Sequence, residues 1–350
     1  MKSAKSDLRP LAPLLFALAL FLNACGSSGA SLAAGGPPDS TDPDTLSPPT
    51  GPVDPPRDTL PVDTTSNPPT DTLIPPVDPG GPTIIPVHEG IPFGPFHMPA
   101  TLYGPDFNGA YHAPWQGPLV EDLELARRAN TQVLLNFTGS SNKFSDANGF
   151  SMEKWKQLVD RFRGLALDSY IEDGTIIGHF LLDEPNDPTN YHGKEVTLDQ
   201  IEEMARYSKE LWPDMATLIR AWPAKLKGFQ FKSLDAAWAQ YASRLGPIAP
   251  WMAGNIADAK ASGLALVMGL NLLNGGSSSS GIPGLREGKF AMSANEIRTW
   301  GKVMLDEPYV CAFLVWKYNE QYFARADVKA ALLELNDQAK KHPEQACRHL

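Results

Sequence analysis

The tetrapeptide Leu-Asp-Glu-Pro occurs twice in this 350-residue chain, at Leu182–Pro185 and at Leu305–Pro308. Two adjacent carboxyl groups suit acid–base catalysis, because one of them can hold a proton near the other's charge. The first copy follows an apolar, β-branched run at 175–182 that is typical of a buried strand. The second copy follows an amphipathic helical pattern. We therefore expect Asp183 and Glu184 to lie where a strand ends, and the second pair to lie in a helix-to-strand turn.

Other polar and aromatic side chains follow the apolar runs of the sequence, where strands would end. These candidate binding residues are Asn136, Arg220, Trp222, Gln240, Tyr241, Trp316 and Tyr318. An arginine can orient a carboxylate or bind an acidic sugar, and aromatic rings suit the apolar faces of sugars. Each such residue alone more often packs in a core, but Trp or Tyr at three strand ends favours a carbohydrate cleft.

The elements that would position these residues form a repeating pattern. Residues 91–350 alternate short apolar runs with amphipathic helical patterns, which is typical of βα units around a parallel sheet. The predicted strands are 93–102, 131–137, 175–182, 216–222, 234–241, 264–273 and 310–318. The predicted helices are 118–129, 151–170, 197–211, 249–261, 293–305 and 326–341. Capping boxes mark two helix starts, at Thr197 with Gln200 and at Ser293 with Glu296.

Seven or eight βα units in about 260 residues match the size of an α/β fold of the (β/α)8 TIM-barrel type. A doubly wound open sheet is the alternative, but no glycine-rich turn follows the first strand. In a barrel, catalytic groups come from the carboxyl ends of the strands, whereas the opposite face serves stability. This places Asp183 and Glu184 at the functional face.

The segments "FLLDEPND" (180–187) and "FLVWKYNE" (313–320) give a family resemblance. They are similar to (β/α)8-barrel retaining glycoside hydrolases whose acid/base Glu ends strand four in an Asn-Glu-Pro motif. Glu184 and Pro185 match that motif, with Trp316 as a third position. The resemblance implies that the strand before Glu184 is the fourth. Only two strands are predicted before it, so it also implies a further early strand between residues 93 and 115.

The chain departs from that family at two positions. Asp183 stands where the family has Asn, and the strand-seven segment "LVMGLNLLNGGSSSS" (266–280) has no carboxylate where the family has its nucleophile. The retaining mechanism therefore does not transfer as it stands, and a second carboxylate must come from elsewhere.

Glu320 is the candidate for that second carboxylate. It follows Trp316 and Tyr318 at a spacing of two, which would place all three on one face of the last strand and its exit. Glu184, kept protonated by nearby Asp183, would then be the proton donor and Glu320 the base or nucleophile. A separation of ~5 Å would predict retention of configuration and ~6.5–9.5 Å inversion. Alternatively, Glu320 only begins the final loop and pairs with a neighbouring basic side chain.

Two functions follow from this reading. The first is a glycoside hydrolase that cleaves a poly- or oligosaccharide by general acid catalysis from Glu184. The alternative is a non-catalytic glycan-binding pseudoenzyme on the same barrel, and a weaker one is a hydrolase or lyase of non-sugar substrates. No cofactor or metal is expected, because the seven His are scattered and no HExxH, CxxC or GxSxG motif occurs.

The N-terminal 25 residues have the pattern of a secretory signal: three basic residues, the apolar run 11–22, and Cys25. The "LNAC" stretch resembles the lipobox of bacterial lipoproteins, which implies lipidation of Cys25 and attachment to a membrane. Gly26 after the cysteine then favours the outer membrane or cell surface. Asn23 departs from the small or aliphatic residue usual at that position, which leaves ordinary signal cleavage as the alternative.

Residues 26–90 predict a disordered tether rich in Pro, Asp and Thr, with 16 of the 33 prolines of the chain. The remaining 91–350 are predicted to form one barrel domain. That domain has 26 basic and 30 acidic residues, a balance without the basic excess that nucleic acid binding needs. We expect a monomer whose partners are a carbohydrate and a membrane.

The two remaining cysteines, Cys311 and Cys347, leave two possibilities open. In an oxidising compartment they could form a disulfide that fixes the C-terminal tail, and otherwise one would be a buried thiol and the other free.

Overall fold

The computed structural model describes residues 87–114 and 117–348. The predicted signal segment, the lipidation site Cys25 and nearly all of the 26–90 linker lie outside the described residues.

Eight parallel strands form a nearly closed barrel, in which the second to the eighth strand pair in chain order. The strands are β1 (Phe93–Pro95), β2 (Gly109–His112), β3 (Gln132–Leu135), β4 (Ile176–Asp183), β5 (Thr217–Arg220), β6 (Ala236–Tyr241), β7 (Ala265–Leu270) and β8 (Val310–Val315). β8 returns to pair with β1, and a parallel bridge between Phe96 and Tyr111 joins β1 to β2. The fold is the predicted (β/α)8 TIM barrel.

The strand expected between residues 93 and 115 is β2, and it makes β4 the fourth strand, in agreement with the family resemblance. A short antiparallel hairpin, Ser145–Asp146 with Gly149–Phe150, lies outside the barrel.

Helices surround the barrel at close to the six predicted positions, and two short helices, Pro223–Leu226 and Glu320–Phe323, were not predicted. They are α1 (Leu119–Arg128), α2 (Met152–Asp160), α3 (Asp168–Glu172), α4 (Leu198–Leu211), α5 (Pro223–Leu226), α6 (Ile248–Ala261), α7 (Ala294–Leu305), α8 (Glu320–Phe323) and α9 (Ala326–Ala339). Both predicted capping boxes are present at the starts of α4 and α7. The single helix predicted at 151–170 is two helices, because Gly164 adopts a left-handed conformation (φ 80°) between them.

The barrel closes where β1 and β2 approach each other at two glycines. A Cβ at Gly94 would lie 1.6 Å from the carbonyl oxygen of Gly109, and one at Gly109 would lie 2.7 Å from the backbone nitrogen of Phe93. Only glycine permits this approach, so these two positions allow the first strand to reach the second.

Bulky side chains fill the barrel interior. They are Phe96, Tyr111, Leu134, Phe180, Leu218, Trp238, Val267 and Leu314. The ring of Phe96 stacks on Tyr111 at 4.3 Å between centroids and contacts Trp238 at 4.5 Å. The interior is therefore a packed core rather than a pore, and any ligand must bind at the mouth.

A disulfide joins Cys311 of β8 to Cys347 of the C-terminal tail, with the Cα atoms 5.1 Å apart. Both cysteines are buried, and the neighbouring Arg348 Nη1 lies 2.9 Å from Asp214 Oδ1, just before β5. The tail is thus fixed at the amino ends of the strands, opposite the functional face. Of the two possibilities that the sequence left open, the structure has the disulfide.

Among the described residues, no helix combines the length and the apolar character that crossing a membrane requires.

Candidate active site

The carboxyl ends of β4, β5 and β6 bring four of the predicted site residues together. Asp183 and Arg220 are the last residues of their strands and direct partners in the register of the sheet. Arg220 Nε donates to the Asp183 carboxylate, Nη1 donates to Gln240 Oε1 at 3.0 Å, and Nη2 lies 3.2 Å from Glu184 Oε1. One guanidinium therefore connects both carboxylates and the amide.

The charge of Arg220 is stabilised at this position. Burial of its side chain opposes the charged form, but the nearby Asp183 and Glu184 more than offset that effect and raise the pKa of Arg220 above its ordinary value. The sequence predicted that repulsion from Asp183 would keep a proton on Glu184. The structure adds a contact that the sequence did not predict, since the Arg220 guanidinium lies against both carboxylates.

The backbone of Glu184 has a φ of 42°, in a region that residues other than glycine rarely adopt. It is held by hydrogen bonds on both sides: Glu184 N donates to Arg220 O at 2.9 Å, and Asp187 N donates to Glu184 O at 3.0 Å. Such strain costs on the order of 1–3 kcal/mol and concentrates at functional sites. The conformation turns the chain out of β4 directly after Asp183.

Tyr191 supports the same turn and was not predicted from the sequence. Its hydroxyl donates to the carbonyl oxygen of Asp183 at 2.5 Å, and its ring is fully buried. Burial, with the charges of Asp183 and Glu184, raises the pKa of Tyr191 well above its ordinary value. The hydroxyl therefore stays protonated and keeps this hydrogen bond. No motif around residue 191 signals this role.

Asn136 lies at the mouth after β3, but its hydrogen bonds are directed inward. Its Oδ1 accepts from Thr138 N and from Gly139 N, both at 2.9 Å, and its Nδ2 donates to the Tyr111 hydroxyl at 2.5 Å. With 6% of its surface exposed, Asn136 shapes the loop after β3. We therefore assign it a positioning role instead of the predicted contact with a sugar.

Gln240 and Tyr241 face opposite sides of β6, so the prediction that both line the cleft is wrong for Tyr241. The Tyr241 ring packs outward against Trp251 and Trp300 of the helical layer, at 5.1 and 5.2 Å between centroids. Its hydroxyl donates to Gly246 O at 2.6 Å. The physical reason is the alternation of a strand, in which adjacent side chains point to opposite faces.

Both predicted tryptophans follow strand ends at the mouth. Trp222 follows β5 and is 41% exposed, an uncommon exposure for so large an apolar ring. Trp316 follows β8, is partly buried, and pairs with Asn271 at the exit of β7. Tyr318 is also partly buried, and its ring lies 5.1 Å from that of Phe323.

Glu320 does not continue the face of the last strand. β8 ends at Val315, the peptide bond between Trp316 and Lys317 is cis, and Glu320 is the exposed first residue of α8. The alternation by two residues that linked Glu320 to Trp316 therefore stops before reaching it. Within the described part of the chain, Glu320 forms no ion pair, and the predicted pairing with a basic neighbour is not found.

The second Leu-Asp-Glu-Pro copy lies in the predicted helix-to-strand turn between α7 and β8. Asp306 ends α7 and contacts Lys302 Nζ at 2.8 Å, and Glu307 Oε1 accepts from Tyr309 N at 3.2 Å. The second tetrapeptide therefore stabilises a local turn on the opposite face of the barrel.

Two arginines that were not predicted as site residues, Arg244 and Arg286, lie in the loops after β6 and β7. Arg244 Nη1 donates to Asn274 O at 3.2 Å. The Asn274 side chain in turn accepts from the backbone nitrogens of Leu285 and Arg286, at 2.9 and 3.2 Å. No group of three or more metal-ligating side chains occurs among residues 87–114 and 117–348.

Comparison with known proteins gives similarity to solved structures alone. No protein-family model and no curated protein matches the chain. The β-glucuronidase of Parabacteroides merdae is 12% identical with a TM-score of 0.42, over 61% of this chain and 27% of that one. The catalytic domain of the major endoglucanase of Xanthomonas campestris is 11% identical with a TM-score of 0.44, over 73% and 95%. An endocellulase of Pyrococcus horikoshii is 11% identical with a TM-score of 0.40, over 71% and 92%. This chain thus spans about a quarter of the β-glucuronidase.

Proposed function

We propose that this protein is an extracytoplasmic glycoside hydrolase that cleaves a poly- or oligosaccharide at the mouth of its barrel, with Glu184 as the acid. The observation that carries the proposal is the strained conformation of Glu184 at the exit of β4, beside Asp183 and Arg220. A rare backbone conformation costs free energy, and such conformations are found mainly where they place a functional side chain. The exposed ring of Trp222 supports a sugar as the ligand.

The roles of the three charged groups follow from their contacts. Glu184 donates its proton to the glycosidic oxygen as the bond breaks. Arg220 stabilises the resulting carboxylate through Nη2 at 3.2 Å, while its bond to Asp183 fixes the guanidinium. Glu184 is reprotonated from solvent before the next turnover. The base or nucleophile is a second carboxylate, for which Glu320 remains the candidate.

Attachment to a bacterial membrane is part of the same proposal. The lipobox-like sequence before Cys25 supports it, with the outer membrane or cell surface favoured. The disulfide between Cys311 and Cys347 also supports export, because such bonds persist in oxidising compartments.

The Glu184→Gln variant tests the catalytic role, because glutamine keeps the shape of the side chain but cannot transfer the proton. We expect reducing-end release from a responsive polysaccharide to fall by about 100-fold or more, the contribution of a general acid. The matched control is Glu307→Gln in the second tetrapeptide copy, which should stay within twofold of the wild type. Full activity in Glu184→Gln would rule out the assignment.

A glycan-binding protein without turnover is the second candidate. One observation in its favour is that Arg220 forms ion pairs with both Asp183 and Glu184. Another is that the segment 266–280, which covers β7 and the loop after it, contains no carboxylate. Glycan binding by the wild type without any release of reducing ends, and with equal affinity in Glu184→Gln, would support this candidate over hydrolysis.

A further inference from the structure

Two hydrogen-bond donors without an acceptor lie on one face of β6, below the mouth of the barrel. They are the amide nitrogen Nε2 of Gln240 and the indole nitrogen Nε1 of Trp238. Both atoms are shielded from solvent, and neither has a hydrogen-bond partner among the residues that the structure describes. Trp238 belongs to the barrel interior, and residues two apart in a strand share a face. Gln240 therefore extends from the inner face as well, nearer the mouth.

The orientation of the Gln240 amide follows from its contact with Arg220. Arg220 Nη1 lies 3.0 Å from Oε1 of Gln240, and an arginine side chain can only donate. The oxygen of the amide must therefore face Arg220, and Nε2 is directed away from it. Gln240 as a whole is partly exposed, so this side chain belongs to the surface of the mouth.

The Trp238 indole nitrogen lies at the level of Gln240. In the register between β6 and β7, Trp238 pairs with Val267 and Gln240 pairs with Gly269. A Cβ at Gly269 would lie 3.2 Å from Trp238 Nε1. The indole therefore reaches two residues towards the carboxyl ends of the strands. Gln240 and this nitrogen both adjoin Gly269, at the top of the packed core.

These two donors lower the stability of the folded protein as they stand. Folding removes the hydrogen bonds that Nε2 of Gln240 and Nε1 of Trp238 would make with water, and no protein group within the described residues replaces them. Most buried donors in proteins are paired, so two unpaired donors next to each other call for an acceptor from outside the chain. A ligand at the mouth that places an oxygen atom here would satisfy them.

The surroundings select the kind of oxygen. A sugar hydroxyl brings its own proton into a place where both unpaired atoms are already donors. A carboxylate or sulfate would lie beside Asp183 and Glu184, and Arg220, the cation of this group, already pairs with both. The carbonyl oxygen of an acetamido group is neutral, has two lone pairs and brings no proton.

We propose that Gln240 and Trp238 form a subsite for the carbonyl oxygen of an acetamido group, so that the preferred ligand contains N-acetylated sugars. This inference rests on the proposed function, because it names the class of glycan that the same mouth binds. Gln240 Nε2 and Trp238 Nε1 donate to the carbonyl oxygen, Arg220 positions the Gln240 amide, and Glu184 acts on the neighbouring linkage.

The test is binding of four sugars to the full chain, measured by isothermal titration calorimetry. The β-1,4-linked pentamer of N-acetylglucosamine is compared with cellopentaose, which has a hydroxyl in place of each acetamido group. N-acetylgalactosamine and galactose repeat the comparison as monosaccharides, without a linkage. We expect at least one acetylated sugar to bind about 10-fold or more tightly than its partner, the effect of satisfying a buried donor.

Variants then assign the preference to Gln240. In Gln240→Glu an oxygen replaces Nε2 while the shape and the acceptor for Arg220 remain, so the preference for the acetylated sugar should fall by about 10-fold or more. Gln240→Met removes both polar atoms at a similar length and should lose the preference without adding a charge. Gln230→Glu is the charge-matched control, since Gln230 is exposed in the loop before β6. It should bind as the wild type does.

The indole signal of Trp238 tests the second donor in the wild-type protein. In ¹⁵N-labelled protein its Nε1–H resonance is identified by its absence from the spectrum of Trp238→Phe. A new hydrogen bond moves this resonance downfield, so it should shift on addition of the acetylated sugar and not on addition of its partner. Binding elsewhere at the mouth would leave it in place.

Four results would overturn the inference in distinguishable ways. Equal affinity within both pairs would remove the subsite and leave the proposed function standing. An undiminished preference in Gln240→Glu and Gln240→Met would place recognition of the acetamido group elsewhere. An unmoved Trp238 resonance at saturation would exclude this indole from the subsite. Binding of none of the four sugars would count against the subsite and against the glycan-acting function together.

Discussion

His179 of β4 and Glu184, which directly follows β4, are titratable side chains five residues apart in opposite surroundings. Glu184 lies at the mouth beside Arg220, whereas His179 is fully buried in the barrel wall. The ring of His179 packs against Phe137 and Trp155 at 4.7 and 5.7 Å between centroids, and its Nδ1 lies 2.8 Å from Ser208 Oγ. Glu184 lies at the proposed site, whereas burial allows His179 only its neutral form, so that His179 contributes to stability.

The neutral state of His179 predicts how stability depends on pH. Burial lowers the pKa of His179 from 6.5 to about 3 in the folded protein, whereas the unfolded chain keeps the ordinary value. Below pH 6.5 the unfolded state therefore binds the proton and the folded state does not. The contribution to stability is complete above pH 6.5, and falls by up to about 1.4 kcal/mol per pH unit as the pH drops towards 3.

Denaturant unfolding of His179→Phe between pH 4.5 and 7 checks this expectation. The variant should lose that part of the pH slope, whatever its absolute stability. His192→Asn is the control, because His192 is exposed and asparagine tolerates its left-handed backbone, so its slope should match the wild type. An unchanged slope in His179→Phe would place the acid sensitivity elsewhere.

At the level of single residues, the sequence predicted which side chains would lie at strand ends but not which contacts they would form. Asp183, Glu184, Arg220 and Gln240 were all predicted from their places at strand ends, and they do meet. That one guanidinium would contact the other three depends on the register between β4, β5 and β6, which no single strand encodes. The prediction for Tyr241 is wrong because adjacent residues of a strand point to opposite faces, so Gln240 and Tyr241 do not both line the cleft.

At the level of elements, hydrophobic periodicity was sufficient for all but one strand. β2 has four residues, Gly109–His112, and is too short and too mixed in composition to produce a periodic signal. The family resemblance implied it nevertheless, through the count of strands. β8 ends at Val315, three residues before the predicted end, and Asn319 caps α8 by accepting from Tyr322 N at 2.9 Å, so that Glu320 begins a helix.

The close approach of β1 and β2 predicts a sharp sensitivity at Gly94. In Gly94→Ala the new methyl group would overlap the carbonyl oxygen of Gly109, a backbone atom that cannot move without separating the strands. We expect a loss of about 3 kcal/mol or more in the free energy of unfolding, at the upper end for overpacking. Gly104 lies between β1 and β2 with open space around it, so Gly104→Ala should change the free energy of unfolding by no more than about 0.5 kcal/mol. Equal midpoints in thermal unfolding would contradict this account of barrel closure.

At the level of the whole molecule, the three cysteines divide into two tasks. Cys25 lies in the lipobox-like segment and is proposed to attach the chain to a membrane. Cys311 and Cys347 form a disulfide at the amino ends of the strands, 36 residues apart in sequence. The mouth lies at the opposite end of the barrel, at the carboxyl ends of the strands.

Replacing one cysteine of each kind should separate attachment from stability. Cys25→Ser should move the protein from the membrane pellet to the soluble fraction and leave the unfolding midpoint of the barrel unchanged. Cys347→Ser should remain in the pellet but lose about 3–4 kcal/mol of stability, the loop-closure contribution for 36 residues. Fractionation with denaturant unfolding under non-reducing conditions measures both. A Cys25→Ser protein that stays in the pellet would argue against lipid attachment, and an unchanged midpoint in Cys347→Ser would argue that the tail does not stabilise the barrel.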